Sequence, residues 1–389
     1  MAKKRIGIIG GGISGAGLAY HLSLYDGEAD VTVFEKDTIG GASTAKSAGT
    51  VCLFDDSIKN RYWDVRLYGF ESYLKMEEEE KGSAGFDKTG TLVVATNEEV
   101  EKVIKEGIAL TKAAGYTGEY ITDKDRIKEI LPDISTDNIL GAGYTEDDGY
   151  FDGTMISNTY IKKAVKNGGV TVKTGVKVTD VRIEDNKVKG LTTDEGIDYE
   201  FDVVVDCTGP WSKITGNLAG LDVPIWHTKA EAFFLCPPGK KLNYTFPVLK
   251  YPEFYALRAG DNIFICKSHL SMDLNNPEHA GQWDPDKLPK TGGTDDYFID
   301  FLLDQLEVKV PGIVDSGLVS SWLSYRAEPK DFWPVLGKTP IDGYMVSTGF
   351  GGNGVIEVPA ATRNLAQLIM RDDSTPLLEN WAFERLLEK

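Results

Sequence analysis

Gly10-Gly11-Gly12-Ile13-Ser14-Gly15 lies between the apolar run Arg5–Ile9 and a segment, Ser14–Tyr25, whose Leu18, Leu22 and Tyr25 share one helical stripe. The run predicts a buried parallel strand, because a strand covered on both faces is continuously apolar rather than alternating. In the GxGxxG pattern, Gly10 makes a tight turn and Gly12 lets the backbone approach a pyrophosphate. Gly15 lets the helix pack closely on the strand. The helix start, at Ile13 and Ser14, offers unpaired N–H groups and a partial positive charge to phosphates. Working outward, Val31–Phe34 predicts a second buried strand ending at Glu35, twenty residues after Gly15, where a carboxylate accepts from ribose hydroxyls. A merely glycine-rich turn accounts for the loop but not for strand, helix and acid together. The spacing predicts a dinucleotide site on a Rossmann-like unit, and the free carboxylate of Glu35 argues against a 2′-phosphate.

Further along, Val203–Val205 followed by Cys207-Thr208-Gly209-Pro210 predicts a buried strand running into a turn. Glu98–Ala113 and Asp123–Ile130, rich in Glu and Lys, predict surface helices. From Trp226 to Phe264 the residues alternate, with turns at Pro237-Pro238-Gly239 and Ala259-Gly260-Asp261, the pattern of antiparallel sheet. Asp273–Asp296 is weakly patterned and predicts a long surface loop leading into a helix. After Tyr344–Ser347 the spacing recurs in Gly349-Phe350-Gly351-Gly352-Asn353-Gly354, but no second strand and acid follow it. This loop is expected to let the backbone meet a ring, with a helix from about Val355 whose N-terminus stabilises charge on the N1–C2=O edge of a reduced flavin. A helix-start turn without ligand is the plainer alternative.

These textures predict an α/β chain (α+β overall). Residues 1–84, 140–224 and 318–389 form a discontinuous nucleotide-binding domain, and 85–139 and 225–317 an antiparallel-sheet substrate domain inserted in it. A length of 389 residues agrees with two cores. The formal charge of −18 disfavours nucleic acid and anionic lipid as partners, so an anionic substrate needs local cations. Four cysteines without CxxC spacing indicate neither zinc nor disulfides, and no metal is expected. No signal-peptide pattern and no apolar stretch of membrane length is seen, which predicts a reduced, cytoplasmic location.

Several segments, in order along nearly the whole chain, resemble the D-amino-acid oxidase/glycine oxidase/sarcosine oxidase family. They are Glu35-Lys36 with Gly41–Gly49, Phe86-Asp87-Lys88-Thr89-Gly90-Thr91-Leu92, Asp148-Gly149-Tyr150-Phe151-Asp152, Val203–Gly209 with Trp211, and Gly349–Gly354. The resemblance implies FAD and oxidation of amines, amino acids and some hydroxy acids. It implies that Lys36, Ser43, Thr44, Ala48 and Gly49 lie along the cofactor and that Val178 meets the adenine through its backbone. Thr208, Gly209 and Trp211 close over the cofactor, and Gly351, Gly352, Asn353, Gly354 and Val355 meet the flavin. Arg326, in Trp322–Gly337, is similar to the substrate-binding arginine of glycine oxidase, although Ala327 stands where the family has proline. A guanidinium fork suits a carboxylate. Tyr255 matches a tyrosine that binds the same carboxylate. Lys267 matches, with one residue of gap, a lysine that activates oxygen. Leu323 and Lys46 stand where relatives carry a flavin-tethering cysteine or histidine, so the FAD is expected to be non-covalent.

The expected reaction is oxidation of the C–N bond of a glycine-, sarcosine- or proline-like substrate by hydride transfer to flavin N5, giving an imine. A 2-hydroxy-acid oxidoreductase, which needs a histidine base such as His227 or His269, is the first alternative. A flavin subunit of a dye-linked complex such as proline dehydrogenase is the second. The electron acceptor is oxygen or another molecule, and a homo-oligomer or heteromeric complex is compatible with either.

Overall fold

A computed structural model describes residues 3–55, 62–237, 242–267, 280–289, 292–313 and 315–387. Strand β1 (Lys4–Ile9) is followed by helix α1 (Ile13–Ser23) and strand β2 (Ala29–Glu35), the unit the glycine loop predicts. β1 lies within a six-stranded sheet whose order is Val335–Lys338, Tyr344–Thr348, Val203–Asp206, β1, β2, Val170–Thr174. Its pairings are parallel except for the outermost, where Val335–Lys338 runs antiparallel to Tyr344–Thr348.

The two-residue period of these strands sorts their side chains between two covers. Ile6, Ile8, Val31, Val33, Val203, Val205 and Met345 pack against Leu18 and Leu22 of α1 and against the helices Gly153–Asn167 and Gly354–Arg371. Ile9, Phe34, Val204, Tyr344 and Val346 turn the other way. They pack on Val181, Val188 and Leu191 of an antiparallel three-stranded sheet, Val178–Glu184, Lys187–Thr193 and Asp198–Glu200.

A nine-stranded sheet forms the second body of the chain. Its path runs Ala280–Gly281, Ile225–Cys236, Asn262–Lys267, Phe254–Ala259, Val248–Lys250, Thr91–Ala95, Gly141–Thr145, Glu119–Ile121, with Gly317–Pro329 paired along Ile225–Cys236. One face, with Phe233, Ile263 and Ile265, packs on Phe298, Leu302 and Leu306 of the helix Asp296–Lys309. The opposite face carries Ala232, Tyr255, Phe264, Cys266 and Trp322. Sheet membership gathers Gly141–Thr145 and Gly317–Pro329 here, whereas the composition-based division sets both with the nucleotide-binding part. A strand's partner is fixed by long-range pairing, which local texture does not encode.

The helix Glu98–Ala113 has its predicted bounds, with Asn97 accepting from Val100 N as its cap. Asp123 caps Lys124–Ile130. The weakly patterned Asp273–Asp296 is more ordered than predicted where it is described. Ala280–Gly281 pairs with His227 and Thr228, and Pro285–Lys287 forms a 3₁₀ turn. A two-residue strand is too short to leave an alternating signature. No helix among the described residues is long and apolar enough to cross a membrane.

Candidate active site

The C-terminal ends of the parallel strands and the face of the nine-stranded sheet that carries Tyr255, Cys266 and Trp322 enclose a cavity of about 530 Å³. That size is within the usual range for a small-molecule site. Its nucleotide end is built from backbone. Gly10 has φ +101°, and a Cβ there would stand 2.8 Å from Cys207 O. A Cβ on Gly15 would stand 1.9 Å from Gly10 O, so Gly15 lies under the loop rather than on the cavity wall. Gly10, Gly12, Ile13 and Ser14 do line the cavity. Thr44 Oγ1 accepts from Ile13 N at 3.2 Å, tying the Ser43–Gly49 segment to the start of α1. The Glu35 carboxylate accepts from Gly11 N at 2.7 Å and Asp37 N at 2.8 Å, and each oxygen keeps a further lone pair for a hydroxyl.

Lys36, Val178 and Trp211 line the same end. The Lys36 ammonium stands 4.2 Å from the centre of the Trp211 ring and pairs with Asp286, which also accepts from Trp211 Nε1 at 2.7 Å. This clasp, with Lys177 at 3.8 Å from Asp286, joins the two bodies of the chain across the cavity mouth. Thr208 and Gly209 also line it, held by Asp206, whose Oδ1 accepts from Thr208 N at 2.9 Å and Thr208 Oγ1 at 2.6 Å. Asp206 is fully buried, and burial pushes its carboxyl up to about 6 against the donors that favour the anion.

The second glycine loop closes the middle of the cavity, which Gly351, Gly352, Asn353, Gly354 and Val355 line together with Ser43, Thr44, Ala48 and Gly49. Gly351 N donates to Ala327 O at 3.1 Å, and a Cβ on Gly351 would meet the Glu328 carboxylate at 2.4 Å. A Cβ on Gly352 would lie 3.7 Å from the Arg326 guanidinium, so loop and arginine face each other.

The other end is built from side chains in register. Lys250, Tyr255, Cys266, Ala232 and Trp322 are successive cross-strand partners, and Ser324 and Arg326 follow at the next same-face positions of their strand. All seven line the cavity. Arg326 Nη2 lies 3.8 Å from Cys266 Sγ, and its Nη1 is buried with no partner among the described residues. Burial opposes the guanidinium's charge, but Cys266, Tyr255 and Glu328 outweigh it and hold the group cationic. Burial, with Cys266 alongside, holds the Tyr255 phenol well above its usual value, so it is a hydrogen-bond donor. Asn353 Nδ2, on the facing loop, is likewise buried and unpartnered.

Not every expected residue is placed. The backbone of Lys267 ends its strand opposite Phe254, but its side chain, like all of His269 and His279, lies outside the described residues. His227 has both ring nitrogens engaged: Nε2 meets Pro210 O at 2.6 Å and Nδ1 meets Trp283 N at 3.0 Å. Burial lowers its pKa, and it is absent from the cavity wall. Lys46 and Leu323, the positions of flavin tethers in relatives, adjoin each other through Lys46 Nζ and Leu323 O at 2.9 Å. Asp55, Arg66 and Asp286 also line the cavity, and no spacing in the sequence links them to any motif.

The glycine cradle, the helix start at Gly354 and the unpartnered donor of Asn353 suit a large anionic dinucleotide with a polar ring. Residues 5–368 match the family model DAO, FAD dependent oxidoreductase. This chain belongs to that family. As a DAO-family member it is an FAD-dependent oxidoreductase. It is 26% identical over 383 residues to dimethylglycine dehydrogenase of Rattus norvegicus, covering 94% of this chain and 43% of that protein. It is 23% identical to glycine oxidase of Bacillus subtilis strain 168, covering 94% and 93%. The chain thus spans under half the length of the dimethylglycine dehydrogenases it matches. Its fold is that of L-proline dehydrogenase from P. horikoshii, with a TM-score of 0.83 at 24% identity, covering 99% and 98% of the two chains.

Proposed function

We propose that this enzyme oxidises the C–N bond of an amino acid or secondary amine bearing a carboxylate, giving an imine that water hydrolyses. The observation that carries this is the Arg326 guanidinium, cationic, with a buried unpartnered Nη1, on the cavity face opposite the glycine loop Gly351–Gly354. Arg326 pairs with the substrate carboxylate and Tyr255 donates to the same group. Ala232, Cys266 and Trp322 keep water from the rest of the substrate. FAD, when bound, supplies the acceptor for the hydride that leaves the substrate carbon. Gly10, Gly12, Ile13, Ser14, Glu35 and Thr44 would hold its phosphates and ribose, and Asn353, Gly354 and Val355 its ring. The substrate's own amine lone pair assists the departing hydride, so the chain's task is positioning, and no protein base is required.

The 2-hydroxy-acid alternative needs such a base, and His227 is committed to Pro210 and Trp283. We infer non-covalent attachment from Lys46 and Leu323, neither of which forms a flavin adduct. Acid precipitation is expected to release all the yellow colour into the supernatant, and colour left on the pellet refutes it. For the activity, a panel of glycine, sarcosine, proline and related amines is added anaerobically to the holoenzyme. At least one is expected to bleach the flavin absorbance. A panel that leaves the flavin oxidised overturns the proposal. Air admitted after bleaching then tells oxidase from dehydrogenase.

A further inference from the structure

The face of the nine-stranded sheet that carries Arg326 has a second cationic pole, which the reaction above leaves unused. Lys250 shares the cross-strand row of Tyr255 and Cys266. Its Cα is therefore two strand spacings, roughly 10 Å, from that of Cys266, whose sulfur adjoins Arg326. The Lys250 ammonium meets Asp55 Oδ2 at 2.9 Å, and Arg66 Nη2 reaches the same oxygen at 3.4 Å. Arg66 is only 3% exposed. Its Nη2 donates to Cys52 O at 2.7 Å, whereas its Nε and Nη1 meet no acceptor among the described residues. Asp55, Arg66 and Lys250 all line the cavity.

Among the described residues, the Arg66 guanidinium and the Lys250 ammonium both meet the single carboxylate of Asp55 here. Asp148, which also interacts with Arg66 and Lys250, is pushed up to about 7 by burial, so its charge is only partly developed at neutral pH. A buried guanidinium with unused donors is costly until something accepts from it, and an anion answers both the charge and the donors. In a chain of net charge −18, a buried cation facing a cavity is also a local exception to the prevailing field.

We propose that Arg66 and Lys250 bind a second anionic group of the substrate, so that the enzyme takes a dicarboxylate amine. One carboxylate lies on Arg326, the other on the Arg66–Lys250 pole, and the reacting C–N bond lies between them near Tyr255. This rests on the assignment of Arg326 as the first clamp.

The test uses the holoenzyme and the perturbation of its flavin absorbance by unreactive ligands. Succinate, glutarate and adipate are each titrated against the acid with a methyl group in place of the second carboxylate: butyrate, valerate and hexanoate. At least one dicarboxylate is expected to bind roughly tenfold or more tighter than its partner, the effect of one charge-assisted contact. Arg66→Gln is expected to abolish that preference with the flavin retained and the monocarboxylate Kd changed by less than about twofold. Lys250→Met serves the same purpose if Arg66→Gln loses its flavin. Equal binding within every pair overturns the proposal, as does a preference that survives both substitutions. Arg326→Ala separates the two claims. If it weakens mono- and dicarboxylates alike, the first clamp stands and the second is judged by Arg66. If monocarboxylate binding is untouched, the Arg326 assignment fails instead.

Discussion

The two ends of the cavity are built by different means. At the nucleotide end the cradle is a backbone turn flanked by a few side chains, and Gly10 and Gly15 are there because a Cβ would collide with Cys207 O or Gly10 O. At the proposed substrate end the backbone is ordinary sheet, and the wall is made of side chains that five strands bring into one row. The first kind of site tolerates no added atom at Gly10 or Gly15. The second can exchange one side chain for another without disturbing the fold.

That contrast can be broken outright at Gly15. Gly15→Val places side-chain atoms where Gly10 O already lies, and we expect no soluble yellow protein, measured as flavin absorbance per milligram purified. A variant that keeps its flavin would show that the loop is not the grip. A smaller effect is expected at the other end. Arg326→Ala should leave flavin content and melting temperature near wild type while lowering kcat/KM about 100-fold, mostly through KM. An unchanged KM would remove Arg326 from substrate binding.

The smallest effect sharpens the boundary between the ends, where Asp206 supports Thr208. Its folded-state value, about 6, lies above the ordinary carboxyl value of 3.8, so folding favours the protonated form. That contribution to stability is fully present below about pH 4 and is withdrawn as pH rises through 6, to about 3 kcal/mol. Asp206→Asn keeps an oxygen for the two Thr208 donors and cannot ionise. It should raise the melting temperature by a few degrees at pH 7.5 and leave it unchanged near pH 4. An equal shift at both pH values would mean that ionisation at this position is not the cause.

The same contrast explains what could be read from the sequence. Gly10–Gly15, Glu35 and the helix Glu98–Ala113 are local, so spacing and periodicity reveal them. Tyr255 and Arg326 were reachable only through family resemblance, because they sit 71 residues apart and meet through register. Asp55, Arg66 and Lys250 had no local signal at all. A buried ion cluster drawn from a loop, a helix and a strand exists only once the chain has folded. The clasp of Lys36, Trp211 and Asp286 is half legible: Lys36 and Trp211 lie within the resembling segments, whereas Asp286 lies in a stretch without pattern.

The strand Gly317–Pro329 bears Arg326, gives Ala327 O to Gly351 N, and sets Glu328 against the same glycine. With Arg326 as the proposed substrate clamp, three consecutive residues couple substrate binding to the position of the helix start at Gly354. Selection for a new substrate that shifted this strand would alter the cofactor's electrostatic surroundings in the same step. On the proposed assignment, specificity and redox character are inherited together rather than as separate traits.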